Sequence, residues 1–399
     1  MSTVLLSVGD ASGDVYASDF VRELRTLRPG THFVGLGGTE MEKAGVEILV
    51  DQRHLAVGGI VELLPDLHRV VASWRRMVRA LRGVRPDLVV LVDSSGFNIP
   101  FARRARRQGI PTLYYVSPQV WVWRTGRIRK LARWVNRLAV IFPFEPRVYA
   151  HTGLAVDFVG HPMVDRLLET GRKFDRASAR EALGLDPDAV LVALMPGSRR
   201  GEMRHLLPLH LEVARVLHAR DPRIHFVFPR SPSIDAAQVD AVVAQQRLPS
   251  LMRFDVVEGR SHEVLCAADL TLSKPGTVAL ESALLGTPLV VAARSSRFTA
   301  FVLRRMVRVD SLTMPNLLAG APIVPELLQE DAVPERVADE IQKLLAGPDR
   351  EAQLRAFDGV REQLGAGGAA RRAARIAAEM LAESSEPSGR AGRVGHLPA

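Results

Sequence analysis

Eleven short apolar runs punctuate this chain, and helical periodicity fills much of the sequence between them. Residues 3–8, 32–35, 88–92, 112–116, 137–141 and 157–159 make a first series; 191–195, 225–229, 254–257, 269–272 and 288–292 make a second. Near-continuous Val, Ile and Leu runs bounded by Gly, Pro, Asp or Ser read as strands buried on both faces. Strands that alternate with helices are joined by crossovers, and crossovers make parallel sheets. Helical patterns over 15–27, 59–81 and 127–135 supply such crossovers. The expected fold class is therefore α/β twice over, each half a doubly wound parallel sheet. A charged, breaker-rich stretch from Glu169 to Pro187 follows the first series. It predicts an N-terminal domain over 1–168 and a C-terminal domain over 169–383, the latter ending in helices from Asp331 to Glu383. Residues 384–399, rich in Ser, Gly, Pro and Arg, read as a disordered tail.

At 399 residues the chain is long enough for two full cores. Its single cysteine, Cys266, excludes an internal disulfide and any multi-cysteine metal site, which fits a reducing cytoplasm. The segment Met1–Val8 has no basic leader and reads as a first strand, not a signal peptide. No apolar run approaches the roughly 18 residues that cross a bilayer. The expectation is a soluble protein, at most attached to a membrane surface. The net charge of +9 is concentrated: between Leu67 and Phe144 lie sixteen Lys or Arg residues and two acids, Asp87 and Asp93. Almost all are arginines, whose planar fork binds two phosphate oxygens at once. A phosphorylated substrate, an anionic membrane face and nucleic acid all suit such a field. No nucleic-acid motif accompanies it, and the glycine loops nearby suit a small ligand, so nucleic acid is the remote reading.

Doubly wound sheets bind ligands beyond the carboxyl ends of their strands. Ser273-Lys-Pro-Gly-Thr-Val-Ala-Leu-Glu281 follows one such strand. Pro275-Gly276 ends it, Gly276 admits a ligand close to the backbone, and Thr277 is placed to cap a helix whose first N–H groups attract phosphate. Glu281, one turn further, is placed to accept hydrogen bonds from two ribose hydroxyls. Pro196-Gly197-Ser198-Arg199 is a second turn of this kind, with Arg199 in reach of a phosphate. Both loops point to a nucleoside diphosphate; the plain alternative is two capped surface turns. Gly9-Asp-Ala-Ser-Gly-Asp14 opens a helix with Ser12 as its cap, and it lacks both GxGxxG and a Walker lysine. Asp93, directly after an apolar strand, is either a base facing a cleft or the cap of the next helix. His161-Pro162 ends a further strand.

The segment 58–82 joins an apolar cluster (Ile60, Val61, Leu63, Leu64 and Leu67) to Trp74 and a row of arginines. It is either a helix that rests on an anionic bilayer and receives acyl chains, or a core helix with a solvated basic face. In Tyr115-Val-Ser-Pro-Gln-Val-Trp-Val-Trp-Arg124 the two tryptophans form either an aromatic wall beside a ligand or ordinary packing.

Taken in order, Ser12-Gly-Asp14, Val92-Asp-Ser-Ser-Gly-Phe-Asn98, Tyr115 to Arg124, Phe142-Pro-Phe-Glu145, Phe158-Val-Gly-His-Pro-Met163, Met195-Pro-Gly-Ser-Arg199, Gly276-Thr-Val-Ala-Leu-Glu281 and Met314-Pro-Asn-Leu-Leu318 resemble the lipid-A-disaccharide synthase family. The aromatic and Phe-Pro-Phe-Glu motifs are the specific ones. The resemblance implies a GT-B glycosyltransferase, two Rossmann-like domains facing a deep cleft, with no cofactor and no metal. It implies joining UDP-2,3-diacylglucosamine to 2,3-diacylglucosamine 1-phosphate (lipid X) with inversion, at the cytoplasmic face of the Gram-negative inner membrane. On that footing Asp93 is the base, and Gly197, Ser198, Arg199, Ser273, Gly276, Thr277, Glu281 and Asn316 hold UDP. Asp10, Ser12, Gly13, Asn98, Ser117, Trp121, Trp123, Arg124 and His161 belong to the acceptor side or the cleft. The 60–67 cluster and Trp74 face the membrane.

This chain departs from the family pattern at two places. Asp10 stands where the family usually has Glu, and Ser95-Gly96 stand where it usually has Pro-Asp. Another UDP-sugar transferase or a UDP-sugar epimerase of the same fold would share the C-terminal loops without needing the acyl-receiving helix. The helical C-terminus either packs back onto the N-terminal domain or supports a homodimer.

Overall fold

The computed structural model describes residues 2–55, 63–120, 126–232, 234–294 and 311–385. They belong to two compact units: Met1–Pro162 together with the chain from Gly367 onward, and Met163–Ala366.

The first unit is built on strands β1 (Thr3–Val8), β2 (His32–Gly37), β3 (Glu47–Asp51), β4 (Leu88–Val92), β5 (Thr112–Tyr115), β6 (Arg137–Val140) and β7 (Ala155–Phe158). Their spatial order is β3-β2-β1-β4-β5-β6-β7, and every pairing is parallel. The helices are α1 (Ala11–Leu27), α2 (Thr39–Lys43), α3 (Leu63–Gly83), α4 (Ser95–Arg107), α5 (Gly126–Trp134) and α6 (Glu145–Tyr149). Met77 and Leu81 of α3 and Ile99, Phe101 and Ala102 of α4 share one core with Leu5, Val34, Val89 and Leu91 of the sheet. Each large apolar side chain so buried contributes about 1.5–3 kcal/mol.

The second unit holds α7 (Pro162–Lys173), whose first residue closes unit one, and α8 (Arg176–Leu183). Its sheet comprises β8 (Val190–Met195), β9 (Ile224–Arg230), β10 (Phe254–Glu258), β11 (Leu270–Ser273), β12 (Leu289–Ala293) and β13 (Glu326–Leu328), in the order β10-β9-β8-β11-β12-β13. Around it lie α9 (Arg200–Arg220), α10 (Ala236–Gln245), α11 (Ser261–Ala267), α12 (Thr277–Leu285), α13 (Met314–Ala319), α14 (Pro334–Leu345) and α15 (Pro348–Leu364). Phe226 and Phe228 of β9, Leu207 and Leu211 of α9 and Ile341 of α14 belong to its main core.

Two departures from expectation concern the domain boundary and the last helix. The boundary expected at 168/169 falls at 162/163, because α7 runs unbroken through the expected position. The last helix, α16 (Ala369–Ser385), assigned from sequence to the second domain, packs on α1 in the first unit, which is one of the two packings left open for the helical C-terminus. Ala369, Ala373, Ala374 and Ala377 are fully buried, and side chains this small let a helix approach its neighbours closely. Arg372 Nε donates to the Val159 carbonyl at 2.8 Å, and Arg28 Nη1 to the Ala378 carbonyl at 3.1 Å. Arg137 bridges Asp157 at 3.0 Å and Glu379 at 2.7 Å. Strands β3 and β13 were not foreseen; both are sheet edges, half-exposed, and so lack a long apolar run.

Ile60, Val61, Trp121, Trp123, Arg124 and the tail 386–399 lie outside the described residues, as do the side chains of Leu63, Leu64 and Leu67. Among the described residues no helix is long and apolar enough to cross a membrane.

In both sheets the first strand lies between neighbours reached in opposite directions: β1 between β2 and β4, β8 between β9 and β11. The connections from β1 and β4 run on to strands on opposite sides, as do those from β8 and β11, and such a switch point is where doubly wound sheets bind ligands at the strands' carboxyl ends.

Candidate active site

In the first unit Val8 pairs with Val92, so the loops after β1 and β4 emerge side by side. They are in very close approach, since a Cβ on Gly9 would lie 1.9 Å from Ser94 Oγ. Asp10 is the N-cap of α1, its carboxylate accepting the Gly13 N–H at 2.6 Å. Ser12, expected as that cap, lies exposed in the first turn because the helix already begins at Ala11.

Asp93 and Ser94 both have left-handed backbones, with φ of 45° and 43°. For a side chain other than glycine this conformation costs on the order of 1–3 kcal/mol and needs support from its surroundings. Asn98 supplies it. The Asn98 amide is fully buried and donates to the carbonyls of Ser7 (3.1 Å), Val92 (3.0 Å) and Asp93 (3.0 Å), and its oxygen accepts from Ser7 Oγ at 2.7 Å. Tyr114 Oη donates to the same Asp93 carbonyl at 2.5 Å. Asn98, expected on the acceptor side, is therefore a staple that turns Asp93 out of the sheet. Asp93 does not cap the next helix: Ser94 is the N-cap of α4, and no side chain makes a cap hydrogen bond there.

Burial, and then the charge and hydrogen bond of the neighbouring Asp10, push the Asp93 carboxyl from its ordinary 3.8 up to about 7. A carboxylate so placed takes up a proton at neutral pH, where an ordinary surface aspartate does not.

Other residues expected on the acceptor side are buried within the first unit. Ser117 is buried, its hydroxyl 2.9 Å from Tyr149 Oη. His161 is buried against the rings of Tyr16 and Phe142, and burial lowers it to about 3, so it is neutral at physiological pH. Gly13 is buried in the first turn of α1. Trp74, expected to face a membrane, is half-buried and packs edge-on against Phe97 and Phe101 of α4, with centroids 5.2 and 6.0 Å away. Its ring has a better apolar partner in the protein than solvent offers. The Phe-Pro-Phe-Glu motif is a backbone clamp: the fully buried Glu145 carboxylate accepts the N–H groups of Ile141 (3.1 Å) and Phe142 (3.0 Å).

In the second unit the two glycine loops lie against one pocket. Gly197, Ser198, Lys274, Gly276 and Thr277 line one pocket of about 120 Å³. Gly276, not Thr277, is the N-cap of α12, and no side chain caps that helix among the described residues. Arg199 is the N-cap of α9, and its side chain is 70% exposed.

Two residues not singled out from sequence organise this pocket. Glu202 accepts the N–H groups of Ser198 (2.9 Å) and Arg199 (3.2 Å), and Lys274 pairs with it at 3.3 Å. Glu281 lies 3.9 Å from His262 Nε2, a histidine that stands alone in the sequence.

Ser273 and Asn316 do not line the pocket. Ser273 is fully buried, with its hydroxyl on the Lys274 carbonyl. Asn316 uses both ends of its amide: it donates to the Val324 carbonyl (2.9 Å) and Glu326 (2.8 Å) and accepts from the Val324 N–H (2.7 Å). Asn316→Leu should leave those groups unsatisfied at about 1–3 kcal/mol each. The expected result is a melting temperature several degrees lower, with UDP affinity of the folded protein unchanged. Equal loss of affinity would show that Asn316 acts on the ligand after all.

The family model for lipid-A-disaccharide synthetase matches residues 4–380. The lipid-A-disaccharide synthase of Geobacter metallireducens is 41% identical over 379 residues, 95% of this chain and 97% of that one. That of Myxococcus xanthus is 40% identical over 380 residues, 95% of this chain and 97% of its own. Solved structures with the same fold include the UDP-GlcNAc 2-epimerase of Neisseria meningitidis bound to UDP-GlcNAc (TM-score 0.65, 13% identity, 96% of this chain and 100% of that one). MurG of Acinetobacter baumannii is another (TM-score 0.58, 15% identity, 95% and 99%). At such low identity these two speak for the fold alone, two parallel-sheet α/β units of the GT-B class. With a family match over nearly its whole length and close relatives covered end to end, the chain belongs to the lipid-A-disaccharide synthase family.

Proposed function

We propose that this chain joins UDP-2,3-diacylglucosamine to 2,3-diacylglucosamine 1-phosphate, with Asp93 as the general base. The observation that carries this reading is the Asp93 carboxyl, held near neutrality beside Asp10 at the switch point of the first sheet. In the proposed step the acceptor's 6-hydroxyl oxygen attacks the donor's anomeric carbon on the face opposite UDP. The O–C bond forms as the bond from that carbon to the diphosphate oxygen breaks, and the hydroxyl proton passes to the Asp93 carboxylate. The product is a β-1′,6-linked disaccharide, and the electron pair leaves with UDP.

Developing negative charge on the diphosphate is met by the uncapped N-terminus of α12 and by Lys274 and Arg199, with no cofactor in the scheme. Glu281 accepts the ribose hydroxyls. Both substrates carry acyl chains, so the reading places the enzyme peripherally on an anionic membrane. Exposed Arg75, Arg76 and Arg79 on α3 support that placement. Binding to phosphatidylglycerol vesicles that weakens with salt is expected; absent or salt-insensitive binding would remove the membrane from the proposal.

The deciding experiment is UDP release by purified protein with the diacylated UDP-sugar, with and without lipid X. Release that requires lipid X, with disaccharide formed, is the expected result. Conversion of the UDP-sugar without acceptor would favour an epimerase, and no turnover would send the search to other sugar acceptors.

The pH profile adds a second test. The base acts only when ionised, so kcat/KM should fall tenfold per pH unit below about 7. Asp10→Asn removes the like charge that helps raise Asp93, so the acid limb should move to lower pH. Burial remains, so it should stop short of the ordinary carboxylate value. A limb unmoved in Asp10→Asn would break the link between the two acids.

A further inference from the structure

We propose that a pocket between α3, α4 and α5 binds the phosphate monoester of the acceptor and thereby fixes which sugar hydroxyl reaches Asp93. This rests on the transferase reading above. The pocket measures about 400 Å³, the size of a small headgroup site. Gly96, Pro100, Arg103, Arg104 and Arg107 recur at helical spacing, so one face of α4 forms a wall. Arg127, Lys130 and Trp134 do the same on α5, and Trp74 closes the pocket from α3.

Its lining contains five cations and no carboxylate. Among the described residues no carboxylate pairs with Arg103, Arg104, Arg107 or Lys130. Those four cations gathered in one concavity repel one another, and a dianionic phosphate is a counter-charge that such a cluster fits. The other cationic pocket of this unit, beside β3 and α3, differs in kind: Glu42 and Asp51 line it, and Asp51 already pairs with Arg53 at 2.6 Å.

The walls are also firm and amphipathic. Arg103 lies over the Trp134 ring at 5.5 Å, and Trp74 is wedged against Phe97 and Phe101. Two indoles beside the cations suit an anion that carries apolar chains. The inner rim is Ser95, whose hydroxyl accepts from Arg127 Nη1 at 2.5 Å. Ser95 is two residues from Asp93, a reach of at most about 7 Å between their backbones. In the proposed pose the sugar's hydroxyl lies at Asp93 and its phosphate at the Ser95–Arg127 end of the pocket.

The test uses the full chain with short-chain 2,3-diacylglucosamine 1-phosphate and its dephosphorylated form. Arg104→Gln and Lys130→Gln alter exposed side chains and should fold normally. Each should lower selectivity for the phosphorylated over the dephosphorylated acceptor by roughly tenfold or more, through KM for the acceptor and not for the UDP-sugar. Tryptophan fluorescence gives a second readout that needs no turnover: the phosphorylated acceptor should perturb it, and the variants should weaken that binding by the same factor. Binding without turnover would overturn the transferase reading and leave this site standing. Unchanged selectivity, or a wild-type chain that does not bind the phosphorylated sugar, overturns the site. So does a parallel loss of binding to phosphatidylglycerol vesicles with equal effect on both acceptors, which would assign these cations to the membrane surface.

Discussion

Asp93→Asn is expected to lower turnover by roughly 10²- to 10⁴-fold and at the same time to raise the melting temperature. The first effect follows from removing the only group proposed to take the acceptor's proton. The second follows from the cost of ionising Asp93 where it sits. A carboxyl moved from its ordinary 3.8 to about 7 destabilises its ionised folded form by on the order of 4 kcal/mol, part of it shared with Asp10. The sign is fixed by proton linkage: between these two values the folded chain holds a proton that the unfolded chain has lost, so wild-type stability falls as pH rises through that window.

Asparagine has nearly the same shape and no charge, so its advantage should be widest above pH 7 and vanish below about pH 4. Thermal melts followed by circular dichroism at pH 8, 6 and 4 would read this directly. An Asp93→Asn protein that is inactive but no more stable at pH 8 would mean that Asp93 is not held against ionisation. A mutant that keeps most of its activity would place the base elsewhere.

Short-range patterns made much of this legible in the sequence. An apolar run that stops at Gly, Asp or Ser locates a strand and the loop at its carboxyl end, and that was enough to place Asp93, Gly197 and Gly276 in such loops. Burial of polar side chains was not legible, because it depends on which backbone groups a turn leaves unpaired. Asn98, Asn316 and Ser117 look like ligand contacts in sequence, and each is spent on groups that would otherwise be orphaned. His161 was hidden for a related reason, since the rings that enclose it come from distant segments. Lys274 and Glu202 are 72 positions apart and gain meaning only when β8 and β11 lie side by side. The return of α16 to α1 is longer still, with Arg28 and Ala378 joined across 350 positions. An alanine-rich helix carries no signal of which partner it will meet.

Gly197→Ala is the other change expected to have a large effect, and it tests the second pocket as Asp93→Asn tests the first. Gly197 has φ of 130°, a conformation that costs an alanine on the order of 1–3 kcal/mol. The added Cβ would also fall 2.1 Å from Glu202 Oε2 and 2.9 Å from Lys274 Cε. Glu202 relieves the overlap by moving Oε2, the same atom that accepts the N–H groups of Ser198 and Arg199, so those two hydrogen bonds are lost. The loop that should carry the diphosphate then loses its shape, and UDP affinity should fall by about 100-fold, the effect of losing two charge-assisted contacts.

Gly201→Ala, four positions along, is the control. It lies within α9, and a Cβ there meets no atom within 4 Å. Alanine should be neutral or stabilising by about 0.5–1 kcal/mol. Calorimetric titration with UDP separates the two cases. If Gly197→Ala bound UDP as the wild type does, the nucleotide would have to sit away from this loop. If Gly201→Ala lost binding equally, the effect would belong to the start of α9 and not to the conformation of Gly197.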